Sequence, residues 1–290
     1  MVRASSLVFF AGLLMSVVAT TAQAAFLSQT DIQSNGFSFF PTPTKWEPGP
    51  NSARVGGFGT GGGATWSLIG AGVSDASGTD PHTETEVDPE TMQETVTVHE
   101  TTSLGSLIPG VSEMTIAGLI DSSLDIWASH SQFTNLGQVM DGGAGFGAPE
   151  SEDGHIGDIR VGAIHFDGPS GVLAHAYQPG TAAIFSNGTL GGDVHLDNDE
   201  NWTLDGIGGF DLATVLLHEL GHSLGLGHSD DIMSVMFPFY QGVRLQLAAD
   251  DIAGIQTIYG PSIVPLPASA ILFLSAIGVL GFFGRRRKSL

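Results

Sequence analysis

The segment His218-Glu219-Leu220-Gly221-His222-Ser223-Leu224-Gly225-Leu226-Gly227-His228 restricts what this chain can fold into more than any other stretch. On an α-helix, residues four apart share one face about 5–6 Å apart. His218 and His222 can therefore grip one metal ion from adjacent turns. Gly225 lets the chain leave the helix through a left-handed conformation, and three residues later His228 returns to complete a three-nitrogen site. Three protein ligands leave a fourth position open, which separates a catalytic zinc from a structural one. Glu219 follows the first ligand and points to the side, where it can reach a water at the metal without binding the metal itself. A helix carrying surface histidines is the plainer alternative. Leu212, Val215, Leu216 and Leu217 lead into the motif and argue for a buried helix instead.

Composition removes other functions. The 290 residues contain no cysteine, so disulfide frameworks and thiolate metal sites are excluded. Thirty acidic side chains face nine basic ones, and a nucleic-acid backbone would be repelled by such a surface. The hydrophobic share of 42% is too high for a disordered chain.

The two ends differ from the middle. Residues 1–24 start basic at Arg3, run through an apolar stretch and close on Ala22-Gln23-Ala24, the pattern of a secretory signal peptide. Near the other end, residues 268–284 carry no charge and precede Arg285-Arg286-Arg287-Lys288. At about 1.5 Å per residue they reach roughly 25 Å, enough for one thin transmembrane helix with the cations on the cytoplasmic side. Val264-Pro265-Leu266-Pro267 ahead of this span gives residues 261–290 a resemblance to PEP-CTERM sorting signals of Gram-negative bacteria, in the VPLPA form. The resemblance implies an exosortase-type sorting enzyme as partner, attachment to the inner membrane until the tail is processed, and a final place in the envelope or extracellular matrix.

Between the ends, only Lys45, Arg54, Arg160 and Arg244 oppose all thirty acids. That balance suits either a solvated surface or binding of Ca²⁺, which prefers carboxylate oxygens. Residues 25–44 form a short N-terminal segment, and the Gly-, Pro- and Ser-rich stretch through residue 63 reads mostly as loop. Residues 64–69, 159–161 and 172–176 read as strands. An acidic insertion spans 75–105, where Val96 and Val98 suggest a short edge strand. Helices are expected over 113–127, over 211–224 with Asp211 as N-cap, and over 250–259.

With these residues in view, the chain from 45 to 260 resembles the metzincin metalloproteases, and among them the matrixins. Beyond the histidine motif, Ser234-Val235-Met236-Phe237-Pro238-Phe239-Tyr240 is similar to the family's Met-turn and the pocket wall after it, with Met233 a weaker candidate for the turn. The resemblance implies an α+β fold: a zincin-like catalytic domain with a twisted five-stranded mixed sheet, mostly parallel with one antiparallel edge, an active-site helix and a C-terminal helix. It implies a zinc metalloendopeptidase that hydrolyses peptide bonds of extracellular or envelope proteins. Zinc would sit on His218, His222 and His228, with Glu219 as general base. Substrate would lie along residues 171–174 as an added strand, and Pro238 to Tyr240 would wall an apolar pocket.

The resemblance also implies calcium at Asp167, Gly168, Ser170, Val172, Asp197 and Glu200, and a second calcium at Asp158, Thr189, Gly191 and Asp193. Matrixins hold a further, structural zinc on four side chains. His175 and His195 match two of these and His165 is a third candidate, but no fourth is evident, because Asp158 and Asp167 are only nine residues apart. The alternative is that His175 and His195 simply pair on neighbouring strands. The cysteine that keeps many matrixins latent has no counterpart, which leaves control to export and metal loading. The competing functional reading is a calcium-binding, catalytically inactive surface or matrix protein on a protease fold.

Overall fold

The computed structural model describes residues 25–27, 32–34, 37–39, 44–48, 53–74, 83–87, 93–143, 145, 156–180 and 190–263. The expected signal at 1–24, the expected span at 268–284 and Thr189 lie outside them. Among the described residues no helix is long and apolar enough to cross a membrane.

In chain order the strands are β1 (Ala25–Leu27), β2 (Ile32–Ser34), β3 (Phe37–Phe39), β4 (Thr44–Trp46), β5 (Ala53–Val55), β6 (Gly62–Leu68), β7 (Thr83–Val87) and β8 (Glu94–Val98). Helix α1 (Glu113–His130) follows, then β9 (Phe133–Gln138), β10 (Ile159–Ile164), β11 (Val172–Ala176), β12 (Val194–Asp197), β13 (Trp202–Thr203) and β14 (Phe210–Asp211). Helices α2 (Leu212–Ser223) and α3 (Ala249–Tyr259) complete the fold.

The main sheet has the order β1-β11-β12-β10-β6-β9. Strands β9, β6, β10 and β12 run parallel, and β11 is antiparallel to β12. These five are the expected mixed sheet, but β11 is not its edge. Residues of the N-terminal segment, Ala25–Leu27, pair with β11 in parallel as a sixth strand. The Gly-rich stretch before residue 63 is likewise less irregular than its composition suggests, since β2–β3 and β4–β5 are antiparallel pairs. The acidic insertion forms its own hairpin, β7–β8, rather than an edge strand of the main sheet.

Burial explains the helices. In α1, Ile116, Ile120, Leu124 and Trp127 recur at helical spacing and are fully buried. The Ser112 side chain accepts from Thr115 N and caps its start. Trp127 Nε1 donates to the Leu217 carbonyl at 3.0 Å, which locks α1 onto α2. Nearly every residue of α2 is buried, as the apolar approach to the motif predicts. The carbonyls at the end of α2 are satisfied from outside: Trp46 Nε1 donates to Ser223 O at 2.8 Å and Tyr259 OH to Leu224 O at 3.0 Å. The helix bearing His218 and His222 is thus fixed by α1, by β4 and by α3.

Candidate active site

Asp211 starts α2 as expected, its Oδ1 accepting from Thr214 N at 2.8 Å. After α2 ends, Gly225 takes φ +104°, and a Cβ there would stand 2.5 Å from the Thr44 carbonyl. Glycine is therefore required both by the backbone and by the close approach of β4. The reversal brings His228 back: its ring centroid lies 4.8 Å from that of His222 and 5.3 Å from that of His218. One ring nitrogen from each of the three lies within 4.8 Å of the others, the spread expected of donors around one ion.

Their other nitrogens are held by backbone. His218 Nδ1 lies 2.6 Å from Val235 O, and His222 Nδ1 lies 2.8 Å from Leu226 O. A carbonyl can only accept, so each Nδ1 carries the proton and each Nε2 keeps its lone pair for a metal. Burial, then the neighbouring His222 and His228, holds the His218 imidazole well below its ordinary value. Burial and His222 bring His228 down to about 3. Both shifts favour the neutral imidazole, the form that ligates. Glu219 is fully buried with neither carboxylate oxygen hydrogen-bonded, and burial pushes its carboxyl well above the ordinary range. A buried acid without a donor beside three convergent imidazoles fits a zinc ion and its water.

The floor is the turn at Met236. Met236 is 2% exposed and Met233 67%, so Met236 is the Met-turn residue. A Cβ on Gly221 would lie 2.4 Å from Met236 Sδ, so Gly221 gives the methionine its place under α2. Asp251 of α3 anchors this turn, accepting from Val235 N at 2.8 Å, from Met236 N at 3.1 Å and from Ser234 Oγ. Its role is absent from the sequence reading, because an acid in the first turn of a helix reads as an ordinary N-terminal charge.

In the first calcium set, Asp197 and Glu200 both reach the 166–171 loop that carries Asp167, accepting from Phe166 N and Gly171 N. Glu200 Oε1 accepts from Gly171 N at 3.2 Å, and Asp197 Oδ1 from Asp199 N at 3.0 Å. Asp197 Oδ2 is buried without a hydrogen bond. Burial raises the carboxyls of Asp197 and Glu200, and nearby Asp167 pushes both further. Ser170 has φ +69° and Gly168 +84°, so the loop that would offer carbonyls is tightly turned. Buried carboxylates that repel one another fit a hard cation.

In the second calcium set, Asp158 and Asp193 face neighbouring protein groups. Asp158 Oδ2 takes Thr65 N and Oγ1 at 2.7 Å each, and Asp193 lies 3.8 Å from the Arg160 guanidinium. Gly191 is buried in the turn beside them.

Of the structural-zinc candidates, His175 and His195 meet, while His165 turns to other partners. His175 and His195 are direct cross-strand partners, with Nε2 and Nδ1 2.8 Å apart. His165 instead pairs with Asp199 and groups with Asp197. Its ring also lies 4.2 Å from that of His99, which follows the acidic hairpin.

Known proteins share these features. Residues 110–260 match the family model described as Matrixin, and residues 264–288 the PEP-CTERM protein-sorting motif. Interstitial collagenase of Oryctolagus cuniculus is 39% identical over 173 residues, covering 57% of this chain and 32% of its own. Matrix metalloproteinase-27 of Homo sapiens is 52% identical over 99 residues, covering 33% of this chain and 18% of its own. The chain therefore spans about a third or less of the length of these relatives. With more than half of its residues matched by that one model, and with the histidines, the glutamate and the methionine turn in place, the chain belongs to the matrixin family of peptidases.

Proposed function

We propose that the chain is a zinc-dependent endopeptidase of the bacterial envelope, stabilised by calcium, acting on extracellular or envelope proteins. The observation that carries this reading is Glu219, a buried and unbonded carboxyl beside three imidazoles whose ligand nitrogens lie within 4.8 Å of one another. A zinc ion held by His218, His222 and His228 supplies Lewis acidity to a peptide carbonyl and to the attacking water. Glu219 takes the proton from that water and returns it to the leaving amine. Its raised pKa, once offset by the nearby cation, suits a group that both accepts and donates. The carbonyls of Val235 and Leu226 hold two rings in the ligating tautomer. The match to a PEP-CTERM motif supports export and handling by an exosortase-type enzyme, with residues 1–24 as signal peptide and the C-terminal span in the inner membrane until processing. In this reading calcium would be held by the carboxylates of Asp167, Asp197 and Glu200.

The test is cleavage of casein or a fluorogenic peptide by purified protein, with zinc content measured in parallel. A zinc chelator abolishes cleavage and added zinc restores it. Glu219→Ala keeps its zinc and loses about 10²–10⁴-fold in kcat. Parental activity in Glu219→Ala, or activity without zinc, rejects the assignment. An inactive wild type with full zinc supports the calcium-binding surface protein instead.

A further inference from the structure

We propose that Arg244 is a specificity-determining positioning residue, which fixes the span of the segment 237–243 by tying its far end back to its start. The inference rests on the endopeptidase reading, in which this segment walls the pocket for a substrate side chain.

The segment leaves the Met-turn and must reach α3. Tyr240 packs against Phe210 and the core, but beyond it apolar packing is thin: Phe239, Val243 and the following Leu245 are all exposed. Three polar contacts define it instead. The hydroxyl of Tyr240 accepts from Asp211 N at 3.0 Å. The backbone N–H of Arg244 donates to Thr214 Oγ1 at 2.8 Å, and that hydroxyl donates in turn to Asp211 Oδ1. These two fasten the segment to the first turn of α2. The third contact closes it into a loop: Arg244 Nη1 donates to the carbonyl of Ser234 at 2.7 Å. Ser234 is immobile, since it is buried and its hydroxyl donates to Asp251. The guanidinium thus bridges a rigid base and the end of an otherwise weakly packed wall. A charged donor on a carbonyl is stronger than a neutral one, and few cations exist in this chain to supply it.

A wall held at fixed span rejects side chains too long for it, while a slack wall admits them. Discrimination among apolar side chains is worth about 10–200-fold per methylene-sized misfit, so small changes in span are measurable. The experiment uses the full chain, Arg244→Met, Arg244→Lys and Arg244→Gln, and peptides with Ala, Leu, Phe or a longer aromatic residue after the scissile bond. Amide exchange over residues 237–243 and 212–223 is followed in the same proteins. In Arg244→Met the ratio of kcat/KM for the longest side chain to that for Ala rises about five-fold or more, mainly through KM, with zinc content unchanged. Exchange quickens over 237–243 and not over 212–223. Arg244→Lys, which can still donate, restores most of both effects. An unchanged ratio, or an equal loss for every peptide, overturns the proposal, as does unaltered exchange over 237–243. Where Arg244→Met does not fold, Arg244→Gln carries the same two readouts. If the wild type cleaves none of the peptides, the endopeptidase reading fails, and the exchange data alone decide whether the tether exists.

Discussion

At the scale of single residues, the carbonyls of Val235 and Leu226 fix the tautomers of His218 and His222, and Asp251 holds the turn that carries Val235. His218, Glu219, His222 and His228 carry distinctive groups at a spacing that only one local geometry satisfies. The carbonyls of Val235 and Leu226, which set the tautomers, belong to residues chosen for other reasons, and any residue has a carbonyl. Asp251 is similar, since its importance lies in four donors from two separate segments. Burial lifts its carboxyl above the ordinary value despite those donors. An acid with a higher pKa folded than unfolded binds more protons in the folded state. Its contribution to stability is fully present below about pH 4 and is lost as pH rises through the folded value. Asn does not titrate. Asp251→Asn should cost about 1–3 kcal/mol, because the amide leaves donors without an acceptor. The advantage of wild type over the variant should shrink from pH 4 towards pH 7 in urea unfolding. A gap that widens with pH contradicts this account.

At the scale of elements, the helices follow their apolar spacing closely, because each buries a full stripe. Strand β9 is hidden in the sequence: Phe133-Thr134-Asn135-Leu136-Gly137-Gln138 is polar, contains glycine and buries chiefly Phe133. It forms because β6 offers it a ladder, a long-range cause that no local pattern records. The β7–β8 hairpin is legible only in hindsight. Its register sets Glu84 opposite Thr97 and Glu86 opposite Thr95. Asp211 holds the start of α2, and through Thr214 and Tyr240 it also joins that helix to the pocket wall. Asp211→Ala should cost about 1–2 kcal/mol of stability by denaturant unfolding. Asp211→Asn, which keeps an acceptor, should recover most of it.

At the scale of the whole molecule, charge dominates. Lys45 and Arg160 are both turned inward, Lys45 onto Glu47, Thr60 and the Gly61 carbonyl, and Arg160 in a two-bond fork onto Asp141. These two cations therefore brace the interior and do little to offset the acidic exterior. Calcium at Asp167, Asp197 and Glu200 would relieve part of that repulsion. With calcium at a hundred times its Kd, linkage gives about 2.7 kcal/mol. For a domain of this size that is a fall in Tm of about 5–10 °C when calcium is stripped with zinc kept saturating. A melting curve unmoved by calcium removal counts against the site. The six-stranded sheet has one further effect. Ala25–Leu27 pair along β11 and so occupy that strand's outer side, which makes β1 the edge of the sheet. Under the proposed function, a peptide substrate would reach this side of β11 only by displacing Ala25–Leu27.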